Sequence, residues 1–232
     1  MKERPTPARQ TPRRRRPLTR DRVLQAALQL ADERGIEAVS MRKLGQVLRV
    51  EAMSLYKHVA GKEDVLDGIA DLVTAEIEVP SRELDWKVAA RRSAVSAHEA
   101  LKRHPWAGVV LESRLNPGPA RLHYLEAMVG VLRDAGFSTP MVARAFMLLD
   151  SHTYGFTLQE LSLPFGSEDA PRVAETMARD HFAAYPNLLA MAELAASGPG
   201  GVPIDFEFGL DLILDGLERL RPASRPAEGA EA

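Results

Sequence analysis

Apolar residues recur along this chain at three- and four-residue intervals, interrupted at Pro and Gly, and no segment alternates convincingly with the two-residue period of a strand. That pattern predicts an all-α fold. The first helix should run from about Arg20 to Arg34, with Val23, Ala26, Ala27, Leu30 and Ala31 as its buried stripe. Thr19 suits its N-cap, Asp21 its first turn and Gly35 its stop. Ser40 to Leu48 reads as a short helix with Met41, Leu44, Val47 and Leu48 on one face. Ala52 to Val59 reads as another, with Leu55 and Val59 inward. Only Arg49-Val50-Glu51 separates the two, the connection length of a helix-turn-helix, whose second helix can enter a DNA major groove. A fourth helix opens at Lys62-Glu63-Asp64, presents Val65, Leu66, Ile69, Leu72 and Val73 inward, and is expected to end at Pro80. It joins this head to the rest of the chain.

Beyond Pro80 the same periodicity continues. Helices are predicted from Asp85 (as cap) to Arg103, from Trp106 to Arg114, from Ala120 to Ala135, and from the Thr139-Pro140 start to Leu161. Leu163 to Pro171 and Gly198 to Gly201 read as loops. Arg172–Tyr185, Asn187–Ala196 and Asp205–Leu220 read as the remaining helices. In the last, Phe206, Leu210, Ile213, Leu217 and Leu220 form a coiled-coil-like seam. Phe208, Leu212 and Leu214 add apolar surface on other sides, so this helix needs two partners. Val142, Phe146, Leu149 and Phe156 make a similar row in the long helix, where Gly155 permits close approach.

Charge changes the picture. The net charge of −2 hides an asymmetry: residues 1–62 carry 15 Lys+Arg against 6 Asp+Glu, a net of +9, and residues 63–232 carry 15 against 26, a net of −11. A basic head on an acidic body suits a polyanion-binding module. Residues 1–17, with the Arg13–Arg16 block, read as a disordered basic arm, 18–64 as the head, 65–221 as the body and 222–232 as a disordered tail. With no Cys, neither a disulfide framework nor a thiolate metal site can form. No apolar run approaches the roughly 18 residues of a membrane span, so the expected location is the cytoplasm.

The string LGQVLRVEAMSLYKHVAGKEDVLDGIAD, with its Leu55-Tyr56-x-His58 core and Lys62 opening the next helix, resembles the DNA-binding motif of the tetracycline-repressor (TetR) family of bacterial regulators. The resemblance is strong over about residues 18 to 75 and looser beyond. It implies a DNA-facing set of Ser40, Arg42, Ala52, Met53, Ser54, Tyr56, Lys57, His58 and Lys62. Their chemistry fits, since Lys57, His58 and Lys62 can reach phosphate, Ser54 and Tyr56 can donate hydrogen bonds, and Met53 can touch a thymine methyl. The family usually has Gly where this chain has Arg49. Either Arg49 accepts a strained positive φ or the turn is shaped differently.

The body is similar to the family's C-terminal domain, in which two helices from each subunit form a dimer interface. That resemblance points to Val142, Phe146, Leu149, Phe206, Leu210, Ile213 and Leu217. Trp106, Val110, Met128, Phe146, Met147 and Tyr154 are the expected lining of an apolar effector pocket, with Asp150 as a polar contact. The family's tetracycline-binding members use a His in the segment similar to Val109–Ser113, where this chain has none, which argues against a metal–tetracycline ligand. Together these readings imply a homodimeric, ligand-responsive regulator, a repressor in the first instance. It would read a palindromic operator in double-stranded DNA and answer to an unknown small-molecule effector, without cofactor, metal or membrane. The rival reading is a helical small-molecule-binding protein or metalloenzyme whose head docks to a protein. It has little support: His123 and Glu126 sit at metal-site spacing without a second pair, and no nucleophile elbow, P-loop or dinucleotide motif is present.

Overall fold

The computed structural model describes residues 17–114, 116–162, 170–196 and 205–221. Among these residues all regular structure is helical. The arm before Pro17, the loops over 163–169 and 198–201, and the tail from Pro222 lie outside the described residues. In chain order the helices are α1 (Arg20–Arg34), α2 (Met41–Leu48), α3 (Ala52–Leu55), α4 (Lys62–Thr74), α5 (Trp86–Arg103), α6 (Ala107–Ser113), α7 (Pro119–Asp134), α8 (Thr139–Ser162), α9 (Ala170–Met177), α10 (Pro186–Ala196) and α11 (Phe206–Leu220).

The caps follow the local chemistry. Thr19 accepts a hydrogen bond from the Arg22 amide, Ser40 from Lys43, Asp85 from Lys87, and Asp205 from Glu207 and Phe208. Three helices differ from expectation. The second helix of the turn motif ends at Leu55 and not at Val59. The His58 and Val59 amides both return to the Leu55 carbonyl, and this tight turn buries Val59 beside Leu55. α4 stops at Thr74, well before Pro80, because Glu76 and Ile77 bond back to Val73 and Thr74 and turn Ile77 into the core. α9 begins at Ala170 and passes into a wider, π-type turn over Ala178–Phe182, in place of the single helix expected from Arg172 to Tyr185.

Two cores result. The first joins α1–α4 to α5 and α6 through Val23, Leu44, Leu55, Val65, Ile69, Leu101, Ala107 and Val110. The second lies among α5, α7, α8 and α11, around Trp86, Leu132, Val142, Leu149, Phe206, Leu210, Leu214 and Leu217. α9 and α10 pack on each other. Burying an aliphatic side chain is worth about 1.5–3 kcal/mol, and α4 commits Val65, Leu66, Ile69 and Val73 to the first core. The head and the start of the body are therefore one packed unit joined through α4.

The second core corrects the expected dimer seam. Val142, Leu149, Phe206, Leu210 and Leu217 are buried within a single chain, and Phe146 and Ile213 are partly buried against the same core. The seam has the expected period, but it faces inward. What α11 leaves outside is the opposite stripe, Phe208, Leu212 and Leu220.

Candidate nucleic-acid interface and internal cavity

The head is built on a close approach of α2 and α3. Gly45 lies buried on α2, and a Cβ there would stand 2.9 Å from the Val50 carbonyl oxygen and 3.2 Å from the Ala52 nitrogen. A residue without a side chain is what lets the backbone of α3 come this near. Sequence periodicity misses Gly45, because glycine adds nothing to an apolar pattern. It assigns the place to Val47, which is 48% exposed.

Arg49 takes the strained alternative. Its φ of 57° and ψ of 46° are left-handed, and it is the one residue other than glycine with positive φ among those described. That conformation lets the Val50 amide donate to the Gly45 carbonyl at 2.9 Å and so closes α2. It costs a residue with a side chain roughly 1–2 kcal/mol.

Leu55 and Val59 anchor the recognition segment from below. Above them Met53 is 75% exposed and Tyr56 47%, large side chains held in solvent outside the core. Arg42, Lys57 and Lys62 are exposed, and Ala52, Ser54 and His58 are half-buried. Arg42, Ala52 and Ser54 line one shallow groove with Gln46, Arg49 and Glu51. Tyr56, Lys57 and His58 follow on the turn, and Lys62 opens α4. Ser40 is half-buried, its hydroxyl engaged as the cap of α2.

α4 fixes this face to the body. At its start, the Arg20 guanidinium donates to both Asp64 oxygens at 2.8 and 2.6 Å, which holds the Asp64 carboxyl below its usual range. Further along, Arg114 reaches Glu63 at 2.6 Å and Asp67 at 3.2 Å. Asp71 then accepts from the Ala120 and Arg121 amides at 3.3 and 3.0 Å, so a carboxylate of α4 caps the N-terminus of α7.

A second polar knot joins α1 to the α5–α6 junction. Asp32 Oδ1 accepts from Trp106 Nε1 at 2.7 Å and lies 2.7 Å from His104 Nδ1, while His104 Nε2 lies 3.1 Å from Glu76. Burial opposes it, but hydrogen bonds from Arg103 and His104 hold the Glu76 carboxyl below its usual range. Trp106 and Val110 belong to this junction and the first core. Against the expected pocket, the α5–α6 corner turns both inward to that core, and neither lines the two spaces that the other expected residues share.

The remaining pocket residues do converge. Met128, Phe146, Asp150 and Tyr154 line an internal cavity of about 20 Å³ between α4, α5, α7 and α8, room for about one water. Thr74, Ile77, Arg121 and Tyr124 complete it. Met147 is on the outer wall. With Asp150 and Tyr154 it lines a groove of about 600 Å³ between α5, α6 and α8, shared with Val109, Glu112 and Leu158. Asp150 and Tyr154 thus form the partition between the two spaces. Burial, reinforced by Glu112 and opposed by Arg121, pushes the Asp150 carboxyl up to about 6. Burial likewise raises the Tyr154 phenol to about 12, although Arg121 donates to its oxygen at 3.3 Å. Sequence reasoning misses Arg121 and Thr74, since neither interrupts its helix's apolar pattern in a way that marks a cavity. His123 and Glu126 are both exposed on α7.

A helix-turn-helix with an exposed reading face, carried on a helical body with its own cavity, defines a DNA-binding regulator that holds both functions in one chain. Two family descriptions match: "Bacterial regulatory proteins, tetR family" over residues 23–69 and "Tetracyclin repressor-like, C-terminal domain" over 79–221. The HTH-type transcriptional repressor DrrR1 of Streptomyces coeruleorubidus is 35% identical over 227 residues, covering 92% of this chain and 82% of that protein. The tetracycline repressor protein class A from transposon 1721, of Escherichia coli, is 31% identical over 210 residues, covering 89% of this chain and 94% of its own. Among solved structures, Streptomyces coelicolor ActR in complex with actinorhodin superposes with a TM-score of 0.75 at 29% identity, covering 90% of this chain and 99% of that one. The chain belongs to the TetR family and is a helix-turn-helix transcriptional regulator. No helix among the described residues is long and apolar enough to cross a membrane.

Proposed function

We propose that this protein is a homodimeric repressor that binds a palindromic operator and is released by a small molecule entering its body. It acts by binding and not by catalysis, in the cytoplasm where DNA is accessible. The observation that carries the reading is the course of α4. Its first turn adjoins the DNA-facing set at Lys62, while Thr74 at its end and Ile77 just beyond line the internal cavity. A cavity with room for about one water cannot hold a drug-sized ligand. Filling it from the outer groove requires the Asp150–Tyr154 partition to move and pushes on the end of α4. Because α4 is tied to the head through Asp64 and Arg20, that push changes the angle of the reading face. Actinorhodin bound to ActR supports a ligand in a body of this kind.

In this reading Lys62 and Tyr56 contact phosphate, and Met53 and Ser54 contact bases. The test is a gel-shift titration of the DNA flanking the protein's own gene at rising salt. Binding should weaken steeply and linearly on logarithmic axes. Lys62→Ala should weaken binding about equally across DNA sequences and flatten the salt slope by about 1. Met53→Ala or Ser54→Ala should instead alter sequence preference. A chain that shifts no duplex at low salt would remove the reading.

A further inference from the structure

Arg49 carries a contradiction that the fold alone does not resolve. The turn needs a left-handed residue to bring the Val50 amide onto the Gly45 carbonyl. Glycine would supply that backbone without strain, and asparagine nearly so. The chain places a long cation there instead. Among the described residues that cation holds nothing together. The Arg49 guanidinium makes no hydrogen bond or ion pair with any described residue, and the side chain is exposed. This contrasts with Arg20, Arg82, Arg91, Arg103 and Arg114, each of which meets a carboxylate. Arg49 does have neighbours of the right kind. It borders the same shallow groove as Arg42, Gln46 and Ser54, on the reading face of the head.

We infer that Arg49 is an additional DNA-contacting residue, its guanidinium engaging a backbone phosphate beside the groove that α3 enters. This rests on the reading of the head as a DNA-binding module. A guanidinium suits such a contact, because its planar fork donates to two phosphate oxygens at once and never loses its charge. The left-handed backbone is part of the device. The turn that closes α2 is the one that sets Arg49 at the groove rim.

The test separates charge from backbone. The probe is a duplex selected from a random-sequence library by the intact parent chain, so failure to select any duplex would refute the DNA-binding reading itself and not this inference alone. Arg49→Gly removes both strain and charge, and Arg49→Asn removes the charge and most of the strain. They should fold at least as stably as the parent in thermal melts, yet bind the duplex roughly tenfold more weakly. Arg49→Gln keeps the strain and loses the charge, and should show the same loss of affinity with the parent's stability. In all three the salt slope should flatten by about 1. Arg49→Lys should retain part of the affinity and the full slope. If Arg49→Gly and Arg49→Gln bind with the parent's affinity and slope, the inference is overturned, whatever their stability.

Discussion

Asp150 shows how one residue can belong to two spaces. It is held between the internal cavity and the outer groove, largely out of water, with Glu112 as an unfavourable neighbour. Its carboxyl titrates at about 6 in the folded chain, above the roughly 4 of an unfolded aspartate. A group raised in this way favours folding below its unfolded value, and that contribution is lost as pH rises through about 6. Asp150→Asn, which cannot ionise, should therefore melt near the parent at pH 4 and above it at pH 8, with the gap opening between about pH 4 and 7. A gap that stays constant over that window would show that Asp150 is solvated. The sequence offers Asp150 only as a polar residue on an apolar helix. Its position on the partition depends on Arg121, Thr74 and Glu112 meeting it from three other helices, and no local pattern reports that.

At the scale of elements, α5 is the helix that the two cores share, while α4 is the strut that joins the head to the body. Its role is legible in the sequence, since an acidic first turn and an apolar face point to a helix shared by head and body. Its end is not, because a turn stabilised by short backbone bonds at Glu76 and Ile77 leaves no Pro or Gly signal. The Asp71 cap on α7 is a tertiary device of the same kind. Gly118 precedes α7, and a Cβ there would overlap the Asp71 carboxylate. Asp71→Ala should thus cost about 1–2 kcal/mol in urea unfolding, the range of a lost N-cap. Gly118→Ala should cost a similar amount by displacing the same carboxylate. The two together should cost clearly less than their sum, since both break one contact. Additive losses would mean that Asp71 and Gly118 act separately.

For the whole molecule, the question is which face of the body meets a second copy. A single head makes few contacts, and a palindromic site needs two heads about 34–36 Å apart on one side of the duplex. α11 is apolar on two opposite sides, and periodicity by itself does not say which is inward. The structure commits Phe206, Leu210, Leu214 and Leu217 to the chain's own core, and binds the helix flank to α5 through the Arg91–Asp211 and Lys87–Asp215 pairs. Phe208, 65% exposed, and Leu212, 58% exposed, remain outside with Gly216 between them and Leu220. The adjoining α8 exposes Leu148, outside the groove that Met147 and Leu158 line. Two packed helices that both turn apolar side chains to water suit an isologous contact, in which the same patch meets itself. Leu212→Asp should then give a folded monomer, because the residue contributes little to its own core. It should also abolish operator binding without touching a DNA-facing residue. Leu210→Asp, two positions away and fully buried, should unfold the chain, since a buried unpaired charge costs several kcal/mol. Sedimentation, circular dichroism and a gel shift on the same samples distinguish these outcomes. A Leu212→Asp chain that remains dimeric and binds its operator normally would place the interface away from α11.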